Sequence, residues 1–302
     1  MNIVGLLQSI LGGLGTGTVY ALLGLSFALI FGRLQICSVL HGDLAGLGAY
    51  LAYAAFTFLG LDPFITMIIL LPIFYFLGYG VQSVFMKPFM KLDTWKGRYQ
   101  GQVMVSWGLG MSVMALEYII FSGTYKTLNV PYRNNVIRLG AITIPILHIV
   151  ALAITLLLLF GMNMLLKKTS LGIEIRACST DTFTAKLTGI NVDKVCAVTF
   201  GLSASIAAIA GVIFSLLTQL SPAHGFELTF LGWCAVILGT MGYMEGAVWA
   251  GLIMGVIESV TSYVWIPALS TAMIYIVLVL VLVFSPYGLF ANMRNGGRRK
   301  KA

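Results

Sequence analysis

Apolar runs long enough to cross a bilayer recur along almost the whole chain, and they constrain the fold more than any other feature. They fall at about 4–31, 39–60, 64–85, 102–122, 141–166, 195–217, 229–262 and 268–286. A helix of about 20 apolar residues spans the hydrocarbon core of a bilayer. In that core each segment must satisfy its own backbone N–H and C=O groups, which selects helices; a barrel would show alternating segments of about ten residues instead. Only 9% of residues are charged and 59% are hydrophobic, with a mean hydropathy of +0.96. Soluble domains carry about a quarter charged residues. Such a chain cannot cover itself with polar surface, so its solvent is lipid. The 302 residues suit about seven to nine spans in a single domain covering 1–302.

The net charge is +8 and the pI about 9.4. The basic residues sit in connections and at the C-terminus, where orientation signals belong, which argues against nucleic acid as a partner. The loop 86–101 carries Lys87, Lys91, Lys96 and Arg98 against Asp93, and the tail 294–302 is strongly basic. By the positive-inside rule both are cytoplasmic. Counting back from the tail, the stretch 167–194 is cytoplasmic and the turn 218–228 outside. The N-terminus falls outside provided that 39–60 cross fully. The connection 123–140, with Lys126, Arg133 and Arg138, runs against the rule, because parity puts it outside. The first positive charge is Arg33, so the first run reads as a retained span rather than a cleaved signal. Within 229–262 the run is broken by 239-GTMGYMEG-246. The piece before the break is too short to span, which predicts a discontinuous or re-entrant helix pair.

The stretch 167–194 is the longest polar interruption. Ser170 is placed to cap a helix over about 171–187, with Leu171, Ile175, Cys178, Thr182 and Ala185 on one face. Gly189 is placed to stop it. Two readings are open: an amphipathic helix lying at the headgroup boundary, or a helix that docks through Leu171, Ile175 and Cys178 into a cytosolic partner. Elsewhere, His41 and Asp43 open an apolar run, as a helix start or as a proton or solute site. Glu117, Glu245, Glu258 and His148 are single titratable groups in apolar surroundings, and Glu245 sits in the Gly-rich break. Cys37, Cys178, Cys196 and Cys234 are scattered and read as small apolar residues. There is no phosphate-binding Gly-x4-Gly-Lys-Ser/Thr loop, no HExxH and no GxSxG, so an enzyme has no motif to stand on.

The stretches 19-VYALLGLSFALIFG-32 with 41-HGDLAGLGAY-50, 171–195, 235–259 and 286-PYGLF-290, in that order along the chain, resemble the permease subunits of bacterial ABC importers for branched-chain amino acids. In 171-LGIEIRACSTDTFTAKLTGINVDKV-195, Leu171-Gly172, Arg176-Ala177 and Gly189-Ile190-Asn191-Val192 match the family's Leu-Gly, Arg-Ala and Gly-Ile-Asn-Val. Ala185 to Gly189 keeps the end of a Glu-Ala-Ala-x3-Gly-type element, with Phe183 in place of the acidic residue and Thr184 of the first Ala. The stretch 19-VYALLGLSFALIFG-32 with 41-HGDLAGLGAY-50 is similar to the first two segments, with Ser38-Val39-Leu40 where Asn-Phe-Ala is expected. The stretch 235-AVILGTMGYMEGAVWAGLIMGVIES-259 is similar to the Gly-rich late segment, with Thr240 replacing its second Gly and Glu245 added. Finally, 286-PYGLF-290 is similar to the C-terminal Pro-x-Gly-Leu-Phe.

The resemblance implies an all-α polytopic inner-membrane protein of about eight transmembrane helices, with a discontinuous or re-entrant late segment and a cytoplasmic coupling helix in 167–194. It implies a second related permease, two cytosolic ATPases that use ATP, and an extracytoplasmic binding protein. The chain itself would bind no cofactor and no metal. Coupling would fall to Leu171, Gly172, Ile175, Arg176, Ala177, Asp181, Ala185 and Gly189. The translocation path would involve His41, Gly42, Asp43, Gly239, Gly242 and Glu245. Urea, a short amide or another small polar solute is an alternative cargo. An ion-coupled carrier using His41, Asp43 and Glu117 is an alternative mechanism.

Overall fold

The computed structural model describes residues 3–34, 36–90, 92, 94–133, 135–139 and 142–291. The basic tail 294–302 lies outside the described residues, as do Lys91 and Asp93. Among the described residues twelve α-helices follow one another: α1 (Ile3–Leu34), α2 (His41–Leu59), α3 (Pro63–Val81), α4 (Lys87–Met90), α5 (Trp95–Phe121), α6 (Ile146–Lys168), α7 (Ser170–Thr180), α8 (Thr182–Leu187), α9 (Val192–Leu217), α10 (His224–Leu238), α11 (Met244–Val264) and α12 (Ser270–Phe284). Eight helical segments are long and apolar enough to cross a membrane, α3 and α4 forming one of them through a π-helical turn at Gln82–Met86. A two-stranded antiparallel hairpin, β1 (Val136–Leu139) and β2 (Ile142–Pro145), pairs Val136 with Pro145 and Arg138 with Thr143. This is the all-α polytopic bundle that the apolar runs require.

The centre of the bundle is made by α1 and α9, both largely buried. Small residues bring their neighbours close, which in lipid is what drives helix association. α1 runs antiparallel to α11. A Cβ on Gly13 would stand 2.6 Å from the Gly255 carbonyl oxygen, and one on Gly24 would stand 2.9 Å from the Ala235 methyl. On α9 the sequence places Gly201, Ala204, Ala208 and Gly211 at helical spacing, and the structure uses them as predicted. Gly48 of α2 meets the Ala208 carbonyl, Gly78 of α3 meets Ala204, and Gly211 meets the Ala45 backbone. The outer helices α3, α5, α6 and α12 turn apolar side chains such as Phe76, Ile119, Phe160 and Phe284 outward. In water that surface would drive aggregation; in hydrocarbon it is neutral.

The connections sort into two ends. At the hairpin end, Gln8 Nε2 donates to Thr143 Oγ1 (2.8 Å), Tyr132 OH donates to Asp62 Oδ1 (3.1 Å), and Lys126 and Leu220 exchange backbone hydrogen bonds (3.0 and 2.8 Å). At the opposite end, which carries α7 and α8, Lys87 pairs with Asp193 (3.1 Å) and the Leu289 N–H donates to the Leu238 carbonyl (2.9 Å). The N-terminal part of α1 therefore shares an end with the 123–145 connection and the 218–223 turn. Residues up to 291 finish at the other end.

Two interruptions at depth mark the bundle. The first follows α1. Residues 36–40 run without helical bonds before α2 starts at a fully buried His41. Their backbone is satisfied by side chains: Cys37 N–H donates to Gln102 Oε1 (3.0 Å), Val39 N–H to Ser106 Oγ (3.1 Å), and the Val39 carbonyl accepts from Thr229 Oγ1 (3.1 Å). Irregular backbone survives in a membrane only under such protein cover. The expected span 39–60 thus crosses with a non-helical beginning, a feature the hydropathy pattern does not reveal. The second interruption is the expected late break. α10 has 15 residues, about 22 Å at 1.5 Å per residue, short of a core about 30 Å thick. It begins inside the bundle and ends at 239–243, where the chain reverses into α11.

Candidate functional site

The polar stretch 167–194 folds into two helices rather than the single one expected. Thr169, not Ser170, caps α7, its Oγ1 accepting from Gly172 N–H (3.2 Å). The helix stops because Asp181 leaves helical geometry (φ −157°) and caps α8, accepting from Phe183 N–H (2.9 Å) and from the Thr184 hydroxyl. Those bonds hold the Asp181 carboxyl below the usual carboxylate range, the Thr184 hydroxyl contributing most. Gly189, at φ +86°, ends α8 in a left-handed conformation that a side chain would strain.

The apolar face expected to meet a partner is turned inward instead. Ile175, Cys178 and Ala185 are buried against the chain's own bundle, and Leu171 is half-buried. Burial pushes the Cys178 thiol up, with the Glu174 charge adding to it. Gly172 is pressed onto the Leu165 and Leu166 carbonyls, where any side chain would clash. Arg176 donates from Nη1 to the Leu166 carbonyl and so ties α7 to the end of α6. Ala177 is half-buried. What the two helices present outward is a different apolar set: Ile173, Phe183 and Leu187, at 59%, 70% and 73% exposure. The periodicity picked out one apolar face, and Leu171, Ile175, Cys178 and Ala185 do share it across the break at Asp181; what it could not show is that the chain's own bundle covers that face. Phe183 and Leu187 are legible only in hindsight, as large apolar residues in a polar stretch.

The residues expected along the path divide. His41 is walled in: its ring packs on Phe27 and Phe200 (centroids 5.2 and 4.9 Å), and its Nε2 lies 2.9 Å from Ser203 Oγ. Because Ser203 Oγ donates its hydrogen to the Ser26 carbonyl (2.8 Å), His41 is the donor to Ser203. The group pins α1, α2 and α9 together. Gly42 lets α2 approach Thr229 and Gly225 of α10. Glu245 lies in the first turn of α11 and is bound to α6 rather than facing a cavity. It accepts from Asn163 Nδ2 (3.1 Å) and Tyr243 OH (2.9 Å) and lies 3.7 Å from Lys167 Nζ. Gly239 packs on Ala247, and Gly242, at φ +83°, packs on Gly32. These glycines build the reversal between α10 and α11.

Asp43 borders a cavity. A cavity of about 290 Å³ is lined by Asp43 with Val39, Trp107, Gly110, Met111, Met114, Ala223 and Phe226. It is bounded by α2, α5 and the start of α10. Trp107, Gly110, Met111 and Met114 lie at i, i+3, i+4 and i+7 on α5. That spacing is visible in the sequence, but it reads equally as a lipid-facing stripe. A second cavity, about 430 Å³, lies between α1 and α11 and is polar, with Ser9, Thr16, Glu258, Ser259 and Ser262 in its wall. There Glu258 accepts from Tyr20 OH (2.7 Å).

Comparison with known proteins places these features in context. A family profile described as "Branched-chain amino acid transport system / permease component" matches residues 9–282. The high-affinity branched-chain amino acid transport system permease protein BraD of Pseudomonas aeruginosa is 28% identical over 304 aligned positions, covering 95% of this chain and 96% of that protein. LivH of Escherichia coli K12, described in the same words, is 25% identical with the same coverage. The xylose transport system permease protein XylH of E. coli K12 is 34% identical over 123 positions, covering 38% of this chain and 31% of that protein.

Proposed function

Because the chain belongs to the permease family of branched-chain amino acid transport systems, we propose that it forms half of the solute pathway of an inner-membrane ABC importer for branched-chain or similar amino acids. The observation that carries this reading is the profile match across residues 9–282, on a bundle with eight helical segments able to span. In this reading a second permease completes the path, two cytosolic ATPases supply the work, and a binding protein delivers solute outside. The chain performs no chemistry. The end that carries α7 and α8 is cytoplasmic: Lys87, Lys96, Arg98, Lys167, Lys168, Arg176, Lys186 and Lys194 gather there, against Lys126, Arg133 and Arg138 at the hairpin end. The positive-inside rule supports that orientation, with the N-terminus outside and the basic tail inside.

The ATPases grip Ile173, Phe183 and Leu187. Apolar groups this exposed outside the lipid need cover, and they stand on two short helices held rigidly by Arg176 and the caps. An ATPase stroke moves α7 and α8 as a unit, and through α6, whose Asn163 and Lys167 hold Glu245, it reaches the break between α10 and α11. Relatives matching over 95% of the chain are described as branched-chain amino acid permeases, whereas the xylose permease matches 38%; amino acids are therefore the favoured cargo. The test is uptake by proteoliposomes holding the complex purified through this chain. ATP-driven accumulation of leucine, isoleucine or valine, and not of urea or xylose, is expected. Uptake driven by an ion gradient without ATP would overturn the reading.

A further inference from the structure

Resting on the import reading, we propose that the α2–α5–α10 seam is a binding site for the protonated amine of the transported solute, seated on Asp43 with Glu117 further along the same seam. Asp43, Gly46 and Tyr50 lie at i, i+3 and i+7 on one face of α2. α5 runs parallel to it: Gly110 faces Asp43, Glu117 faces Gly46, and Phe121 stacks on Tyr50 at 4.7 Å. The Asp43 carboxylate fits there because Gly110 and Gly225 have no side chains; a Cβ on Gly225 would stand 2.6 Å from Asp43 Oδ1. Glu117 is 2% exposed, and its Oε1, 3.3 Å from the Cβ position of Gly46, has no hydrogen-bond partner. The Tyr50 hydroxyl, 1% exposed, has none either. Neither Asp43 nor Glu117 has an ion-pair partner among the described residues.

Two carboxylates and an unpartnered oxygen at membrane depth are expensive, and groups kept there at such cost mark solute pathways. A cationic group would offset that cost. The cavity that reaches Asp43 identifies the kind: its other walls are Trp107, Met111, Met114 and Phe226, with Trp107 edge-on to Phe226 at 5.4 Å. Aromatic faces and thioethers attract an organic ammonium with an apolar body, whereas a divalent metal asks for six or so oxygens. At about 290 Å³ the space suits a small solute. Urea or a short amide brings no charge to offset the pair, so the seam separates amine-bearing cargo from neutral cargo.

The experiment measures equilibrium binding of radiolabelled 3-methylbutylamine to the purified full chain, with 3-methylbutanol and 4-methylpentanoate as competitors. Saturable binding is expected, displaced by leucine but by neither competitor. Glu117→Gln and Asp43→Asn, which preserve size, weaken it about tenfold or more, as loss of a charge-assisted contact requires. Equal competition by the alcohol, or binding unchanged in both variants, would reduce the cavity to a greasy cleft and overturn the inference. So would a wild-type rate of ATP-driven leucine uptake by complexes carrying both variants, an outcome that leaves the importer reading standing. Absence of ATP-driven uptake by the wild-type complex would count against the importer reading alone, because amine binding is read on the chain itself.

Discussion

Thr240→Gly should stabilise this protein. Thr240 sits in the reversal between α10 and α11 at φ +75°, where a β-branched residue is a steric outlier. A left-handed backbone costs a residue with a Cβ about 1–2 kcal/mol. Its side chain is 3% exposed, and its hydroxyl has no hydrogen-bond partner, a desolvation cost of roughly 1 kcal/mol. Against these stand the buried methyl group, worth about 0.8 kcal/mol, and the extra freedom of glycine in the unfolded chain, about 0.4–1 kcal/mol. The balance favours glycine by about 1 kcal/mol. That corresponds to a rise in Tm of about 2–4 °C, read by thermal denaturation of the detergent-solubilised protein. Thr240→Ala separates the contributions. It removes the hydroxyl and the methyl but keeps the strained backbone, so it should fall below Thr240→Gly by the left-handed penalty less glycine's extra freedom in the unfolded chain, on the order of 1 kcal/mol. If the glycine variant melted at or below the alanine variant, the strain argument would be wrong. The resemblance to importer permeases expects a glycine at this position, and the positive φ supplies the physical reason.

Other outcomes follow from the same geometry. Phe183→Ser with Leu187→Ser should leave the protein in the membrane at wild-type level and lower recovery of the ATPases in co-purification at least several-fold, since both side chains are exposed in the isolated chain. Arg176→Glu should uncouple transport by releasing α7 from the Leu166 carbonyl, seen as ATP hydrolysis retained with solute uptake reduced. Gly189→Pro should do the same by breaking the left-handed stop of α8. The Asp181 cap gives a pH dependence of definite sign. Its folded pKa is lowered from 3.8, so its contribution to α8 is fully present above that value. It is lost as pH falls through the still lower folded value. Amide exchange at Phe183 and Thr184 should therefore be insensitive to pH-induced fraying at neutral pH and lose protection only in strong acid; early loss near pH 6 would contradict the cap.

Sequence and structure agree where a property is carried by composition over many residues. The spans, the short α10 before 239-GTMGYMEG-246 and the tight α9 surface of Gly201, Ala204, Ala208 and Gly211 are of this kind. A hydrocarbon solvent leaves helices as the only solution, and small residues announce close packing. They part where one side chain redirects the backbone. Asp181 bonding Phe183 N–H splits one expected helix into two. Gln102 and Ser106 hold residues 36–40 unwound at depth, which no hydropathy average registers. His41 and Glu245 looked like path residues because isolated polar groups in apolar runs are ambiguous. Only three-dimensional neighbours show that Ser203 claims one and that Asn163, Tyr243 and Lys167 claim the other. That α5 lays Gly110 against Asp43 and Glu117 against Gly46 depends on packing between distant segments, beyond any local pattern.

The central claim is that this chain is a moving part of an ATP-driven assembly, and the direct measurement is to identify what leaves native membranes with it. The tagged full chain, purified in mild detergent, should bring two ABC ATPases' worth of subunit and a second permease, identified by mass spectrometry. Phe183→Ser with Leu187→Ser should selectively lose the ATPases and keep the permease. Recovery of the chain alone from native membranes, together with solute transport by that isolated chain, would contradict the account.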